Sequence, residues 1–233
     1  SIIAEANLWL ERSDEWIRAQ VPAAGACFAY GFAGCPICGG ALGAWDQARA
    51  SFDDPGHVLC LRGHRLPDED HPDTGTGYLA PDGRTHYFVG CYNAWVVEAL
   101  TFKAAKNLAL AATLTGDPRY SEKATIILDA LAAVYPECSI GSWDYPSRNN
   151  SGRFNRPFYQ VARTLVHYVD IYDMIYSDST MTWPSVRSGL VRRENIEQNL
   201  LLNGADYCYT KSFRGGLNNG TADYLRGALA VGV

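Results

Sequence analysis

Leu114-Thr-Gly-Asp-Pro-Arg-Tyr120 is the stretch that decides the fold, because it separates two apolar runs with the signals of one helix ending and another beginning. Upstream, Trp95, Val96, Ala99, Leu100, Phe102, Ala104, Leu108, Ala111, Ala112 and Leu114 leave few polar gaps from Asn93 onward, the pattern of a largely buried helix. Gly116 stops it; Asp117 and Pro118 then supply an N-cap and a proline at the first helical position. Downstream, Ala124, Ile127, Leu128, Leu131, Ala132 and Tyr135 form one apolar face before Pro136 ends it. So short a connection makes the two helices antiparallel neighbours.

The same grammar repeats. Phe158, Val161, Ala162, Leu165, Val166, Val169, Tyr172 and Ile175 mark a third helix that ends near Ser177 and Asp178. A fourth opens at Pro184, carries Val186, Leu190, Val191, Ile196, Leu200 and Leu201, and closes at Asn203–Gly204. A fifth follows the turn Gly215–Gly220, and the chain stops soon after, which reads as a fragment of a longer helical protein. Before all of these, Ile2 to Gln20 reads as helical with a restart at Ser13, an N-cap followed by Asp14 and Glu15 in the first turn.

At 233 residues with 47% hydrophobic and 19% charged content, the chain has ample material for a core and is not disordered by composition. No run approaches the length of a membrane span, and the N-terminus lacks the basic region of a secretory leader. The net charge of −5 is unevenly distributed. Up to Ser147 ten Lys/Arg face eighteen Asp/Glu, whereas from Arg148 ten face seven. The acidic front disfavours nucleic acid, and the basic rear suits an anionic ligand.

Seven cysteines, an odd number scattered over a long chain, do not form a disulfide pattern. Cys35-Pro-Ile-Cys38-Gly-Gly is instead a metal knuckle, whose glycines allow the turn that points both sulfurs at one ion. Twenty-one residues later comes Cys60-Leu-Arg-Gly-His64. Zinc takes four tetrahedral sulfur or nitrogen ligands, so Cys35, Cys38, Cys60 and either His64 or His57 make a closed structural site without an open position for chemistry. The turn-rich loop Pro67–Arg84 follows, with His71, Asp68, Asp70 and Asp73 as conceivable cation ligands or simply solvated turn residues. Thr85 to Val89 is a short strand or extended approach to the helices.

The long Gly/Ser/Asn/Arg stretch from Cys138 to Arg156 carries Trp143, Tyr145, Arg148 and Arg153, the aromatic and cationic mixture of a sugar- or anion-binding groove. Tyr159 and Gln160 extend that wall. His167, alone in its helix, reads as a packing residue. At the other end of the helical region stand two adjacent amides, Asn218 and Asn219, where a glycine-rich turn feeds a helix. Amides and free backbone N–H groups at a helix start can bind a carboxylate without adding charge.

Helical hairpins, a CPxCG knuckle ahead of them and an Asn-Asn turn after the second pair together resemble the heparinase II/III-like polysaccharide lyases. The resemblance covers Tyr87–Pro136, Phe158–Asp178 and Leu217–Gly232, together with the knuckle. It implies a mainly α fold, an incomplete (α/α) toroid of antiparallel hairpins. An N-terminal helix and zinc-ribbon-like segment at 1–86 would precede toroid helices at 87–233, and β-sheet domains would lie further on. It implies β-elimination on a uronic-acid-containing polysaccharide, with Asn218 and Asn219 neutralising the uronate carboxylate. The family's catalytic tyrosine and second histidine fall beyond residue 233. A periplasmic or secreted location is implied, although thiol ligands also suit the cytoplasm. An (α/α)-toroid glycoside hydrolase would need two carboxylates, for which Asp144, Glu194, Asp206 and Asp223 are available. A helical-repeat scaffold would need none.

Overall fold

The computed structural model describes residues 1–42, 49–137, 152–155, 159–214 and 220–232. The protein is mainly helical, with two small antiparallel sheets of two strands each. It divides into two compact units: a helical unit formed by Ser1–Ala19, Ala99–Pro136 and Arg156–Val233, and a ribbon unit formed by Gln20–Glu98 and Glu137–Asn155. The N-terminal helices α1 (Ile2–Leu10) and α2 (Asp14–Gln20) fall mainly in the helical unit. Among the described residues, no helix is long and apolar enough to cross a membrane.

In the helical unit, α1 packs on α4 (Lys106–Thr115), and α4 packs on α5 (Pro118–Val134). Tyr120 of α5 donates its hydroxyl to Asn7 of α1 at 2.6 Å, and Ser13 accepts the amide of Trp16 at 3.1 Å as the expected cap. The turn between α4 and α5 follows the sequence closely. Gly116 takes a left-handed φ of 71°, and the Asp117 carboxylate accepts the amide of Arg119 at 3.0 Å. Helix α6 (Gln160–Ile175) packs on α4, α5 and α9 (Thr221–Val231), and α8 (Asn203–Arg214) packs on α9. The interior is built from aliphatic and aromatic side chains such as Leu100, Leu108, Ile127, Leu131, Val161, Leu165, Tyr168 and Leu200, all fully buried.

Two helix boundaries differ from the sequence reading. The segment after Pro184 is not helical at first, because Pro184 bridges Val191; α7 (Arg192–Asn195) starts only there. Asn203–Gly204 does not end the helix, which runs through a wider-wound turn at Ile196–Leu202 straight into α8. The reason is packing. A Cβ on Gly204 would come within 3.0 Å of Leu165 and 3.1 Å of the Tyr135 hydroxyl, so this glycine permits close approach rather than chain reversal.

One buried carboxylate ties these elements together. Asp129 of α5, only 1% exposed, accepts from the Ser185 hydroxyl (2.6 Å), the Val186 amide (3.0 Å) and Asn195 Nδ2 (2.7 Å). Asn195 also donates to the Asp129 carbonyl at 2.8 Å. The residues ahead of α7 are thus fastened to α5 by charge-assisted bonds.

The ribbon unit has less regular structure. Strands β1 (Val58–Leu59) and β2 (Arg65–Leu66) form one hairpin, and β3 (Tyr78–Leu79) and β4 (Thr85–His86) form another. Helix α3 (Phe88–Glu98) follows β4 almost directly, so the extended approach expected at 85–89 ends by His86. Its start is capped from a distance. Asp73 Oδ2 accepts the amides of Phe88 (2.8 Å) and Val89 (3.0 Å), while Oδ1 accepts those of Gly75 and Gly77, both at 2.8 Å. A carboxylate that receives four N–H donors, two of them at a helix N-terminus, is a structural acceptor rather than a solvated turn residue. Replacing Asp73 with alanine should lower the unfolding free energy of the ribbon unit by about 3 kcal/mol in urea titration, since buried donors lose a charged acceptor. A loss below about 0.5 kcal/mol, the range of ordinary surface substitutions, would contradict the cap.

Candidate metal centre and adjoining cleft

The second knuckle is the turn of the β1–β2 hairpin. Leu59 pairs with Arg65, so Cys60 and His64 stand opposite each other just beyond the last pair. The Cys60 amide donates to the His64 carbonyl at 2.9 Å, and Gly63 closes the turn with a φ of 87°. The first knuckle is closed in the same manner: the Cys35 amide donates to the Gly40 carbonyl and the Gly39 amide to the Cys35 carbonyl, both at 2.8 Å. The Leu61 amide donates to the Ala41 carbonyl at 3.1 Å, joining the two loops.

The hydrogen bonds bring Cys35, Cys38, Cys60 and His64 together, with all four ligand atoms within 4.8 Å of one another. Cys38 Sγ lies 3.8 Å from Cys60 Sγ; His64 Nδ1 lies 3.3 Å from Cys60 Sγ and 3.7 Å from Cys35 Sγ. A zinc tetrahedron with ordinary bond lengths has edges of about 3.8 Å between sulfurs and about 3.6 Å between sulfur and nitrogen. These three separations match such edges to a few tenths of an ångström, and Cys35 and Cys60 are buried. Of the two histidines left open by the sequence, His64 joins the cluster. His57 is held elsewhere, 3.0 Å from Asp54 Oδ1 and 3.1 Å from the Pro55 carbonyl.

The two buried thiols differ electrostatically. Burial pushes Cys35 up to about 11, against the N–H groups of Ile37 and Cys38 that favour its thiolate. Burial opposes the Cys60 thiolate as well, but the N–H groups of His64 and Arg62, with the His64 ring and Cys38, outweigh it and bring Cys60 down to about 7. Such N–H donors are the outer shell expected around metal-bound sulfur.

Beside the first knuckle lies a cleft of about 760 Å³, walled by Gly31–Pro36 and Gly39 on one side and by His71, Tyr78, Asp82, Arg84 and His86 on the other. It belongs wholly to the ribbon unit. His71 Nδ1 is 2.7 Å from Asp68 Oδ1, and His86 Nδ1 is 2.8 Å from the Gly34 carbonyl. The His71 bond, foremost among several, holds Asp68 below the usual carboxylate range. No periodicity announces this cleft in the sequence; the only available signal was His71 within a turn-rich loop.

The other candidates stand as follows. Asn218, Asn219, Trp143, Tyr145 and Arg148 lie outside the described residues, as does Asp144. Arg153 belongs to the ribbon unit, with a left-handed φ of 59°. Tyr159 and Gln160 open α6, where the Arg163 guanidinium lies 4.5 Å from the centre of the Tyr159 ring and pairs with Asp223 at 3.0 Å. Asp223 is thus engaged in an ion pair, and Glu194 accepts the Val191 amide at 3.2 Å ahead of α7. His167 packs edge-on against Phe102 at 5.1 Å, and burial, together with Lys106, pushes its pKa down.

Comparison with family models, with curated proteins and with solved structures finds no match to this chain.

In the metal-free protein the thiolate ultraviolet absorbance should gain its first step near pH 7, with Cys60 protonated below and ionised above it. Cys60→Ser should remove that step. A first step near the ordinary thiol value in the parent protein would contradict the hydrogen-bonded environment.

Proposed function

We propose that Cys35, Cys38, Cys60 and His64 hold one structural zinc ion. The observation that carries this reading is the convergence of four ligand atoms within 4.8 Å of one another, with three separations close to the edges of a zinc tetrahedron; a four-ligand site of that kind leaves no position for substrate. Zinc there would join the two knuckles by its bonds and neutralise the charge of three thiolates.

On this framework we propose a polysaccharide lyase that cleaves a uronic-acid-containing polymer by β-elimination, its helices arranged as an incomplete (α/α) toroid. Support comes from the sequence resemblance, from the mainly helical fold, and from the position of Asn218 and Asn219 in the chain immediately ahead of α9. The reaction removes the proton at C5, breaks the bond between C4 and the leaving oxygen, protonates that oxygen, and leaves a C4–C5 double bond. The C5 proton is too weakly acidic to be lost unless charge on the developing enediolate is stabilised. Amide donors at Asn218 and Asn219 supply that stabilisation without titrating.

Both halves are testable. The purified protein should carry one zinc per chain, and Cys38→Ser should lose it. A parent protein that takes up no zinc would overturn the first half. Uronate polymers should yield a rising ultraviolet absorbance from the new double bond, slowed about a hundredfold or more in the Asn218→Ala/Asn219→Ala double variant, the scale of a lost transition-state donor. New reducing ends without absorbance would replace elimination by hydrolysis, and undiminished absorbance in the variant would move the neutralising site elsewhere.

A further inference from the structure

Of the three sulfurs in the metal cluster, one meets solvent. Cys35 is 2% exposed and Cys60 is fully buried, whereas Cys38 is only half-buried. Gly40 leaves room beside it. A Cβ there would lie 3.3 Å from Cys38 Sγ and 3.9 Å from Arg62 Cγ, and beyond Gly40 and its chain neighbours no other described atom comes within 4 Å. A small molecule therefore reaches this sulfur before the other two. Cys27, Cys91 and Cys208, the remaining described cysteines, are all buried.

Behind Cys38 stands a second sulfur. Cys60 Sγ lies 3.8 Å from Cys38 Sγ, on the neighbouring loop. A disulfide holds its sulfurs about 2.05 Å apart, so a bond between these two asks each to move by about 1 Å. The loops already touch here, where the Leu61 amide donates to the Ala41 carbonyl at 3.1 Å. Oxidation of cysteine follows thiolate character and exposure, and it becomes reversible where a resolving cysteine is close by. Cys38, as a metal-bound thiolate at the solvent face with Cys60 behind it, meets all three conditions.

We propose that Cys38 is a site of oxidation by hydrogen peroxide, resolved by Cys60 as a disulfide with loss of the zinc ion. The inference rests on the zinc reading given above. The Cys38 thiolate attacks one oxygen of the peroxide, the O–O bond breaks, and the departing hydroxide takes a proton to become water, leaving Cys38 as a sulfenic acid. The Cys60 thiolate then attacks the Cys38 sulfur, the S–O bond breaks, and the second hydroxide also leaves as water. Two thiolates have given up two electrons, and the peroxide has taken them with two protons. Only Cys35 and His64 remain of the four ligands, too few to close a zinc site. The disulfide replaces the metal as the tie between the two knuckles.

The test is hydrogen peroxide treatment of the zinc-loaded full chain, read by a colorimetric zinc chelator and by mass spectrometry. One zinc per chain should be released, and the mass should fall by two hydrogens relative to the reduced, metal-free chain. Trypsin separates residues 19–49, which carry Cys27, Cys35 and Cys38, from residues 50–62, which carry Cys60 alone. The two peptides should be found joined, with fragmentation placing the bond at Cys38 and iodoacetamide labelling Cys35 after denaturation. A reductant with added zinc should restore the metal-bound chain. Three outcomes would overturn the proposal: zinc and all three thiols retained under peroxide that fully oxidises free glutathione, a bond between Cys35 and Cys38, or sulfinic acid at Cys38 with no bond. A chain that holds no zinc before peroxide is added would overturn the zinc reading, and this proposal with it.

Discussion

Backbone hydrogen bonds of two tight turns gather three sulfurs and an imidazole nitrogen within 4.8 Å of one another. Left as thiols they are poor hydrogen-bonding partners, and as thiolates they repel one another; an ion of the right size turns the cluster into a crosslink. The rest of the ribbon unit depends on that convergence. Its two sheets have two strands each and only two residues per strand, well short of what an isolated hairpin needs for stability. Small units of this kind rely on a staple, and the two knuckles are placed to receive one.

The consequences spread outward from the knuckles through backbone bonds. Cys35 fixes the loop whose Gly34 carbonyl orients His86, and His86 sits at the end of β4, two residues before α3 begins. Asp73 then ties the turn-rich loop to the amides that open α3. Between Asp73 and β4, Gly77 leaves no room for a side chain: a Cβ there would lie 2.6 Å from Thr85 and 2.7 Å from Tyr87. Metal knuckle, cleft wall and helix start are therefore links in one chain of contacts. A perturbation at the sulfurs is expected to reach His86 and the cleft before it reaches α3. The helical unit stands on a different footing, an apolar interior with Asp129 as its buried polar tie.

Much of this was legible in the residues, and the limits have physical reasons. Leu114 to Tyr120 encodes its turn through local chemistry alone, a glycine at left-handed φ and an aspartate cap, so the reading carries straight into the structure. The four residues of the cluster were legible because zinc demands a small set of atom types at fixed spacing, although only the fold separates His64 from His57. Gly204 misled because the same absence of Cβ serves a helix end or a helix contact, and only the neighbour Leu165 tells which. Asp73 and His86 were illegible as partners of α3 and Gly34. Their bonds span 15 and 52 residues, and nothing in local composition records such distances.

X-ray absorption at the zinc edge is the most direct test of the proposed Cys₃His zinc ion in the ribbon unit. The spectrum should show three sulfurs at about 2.3 Å and one nitrogen at about 2.0–2.1 Å around the ion, with no oxygen. A shell of oxygen and nitrogen only, or four sulfurs without nitrogen, would contradict it.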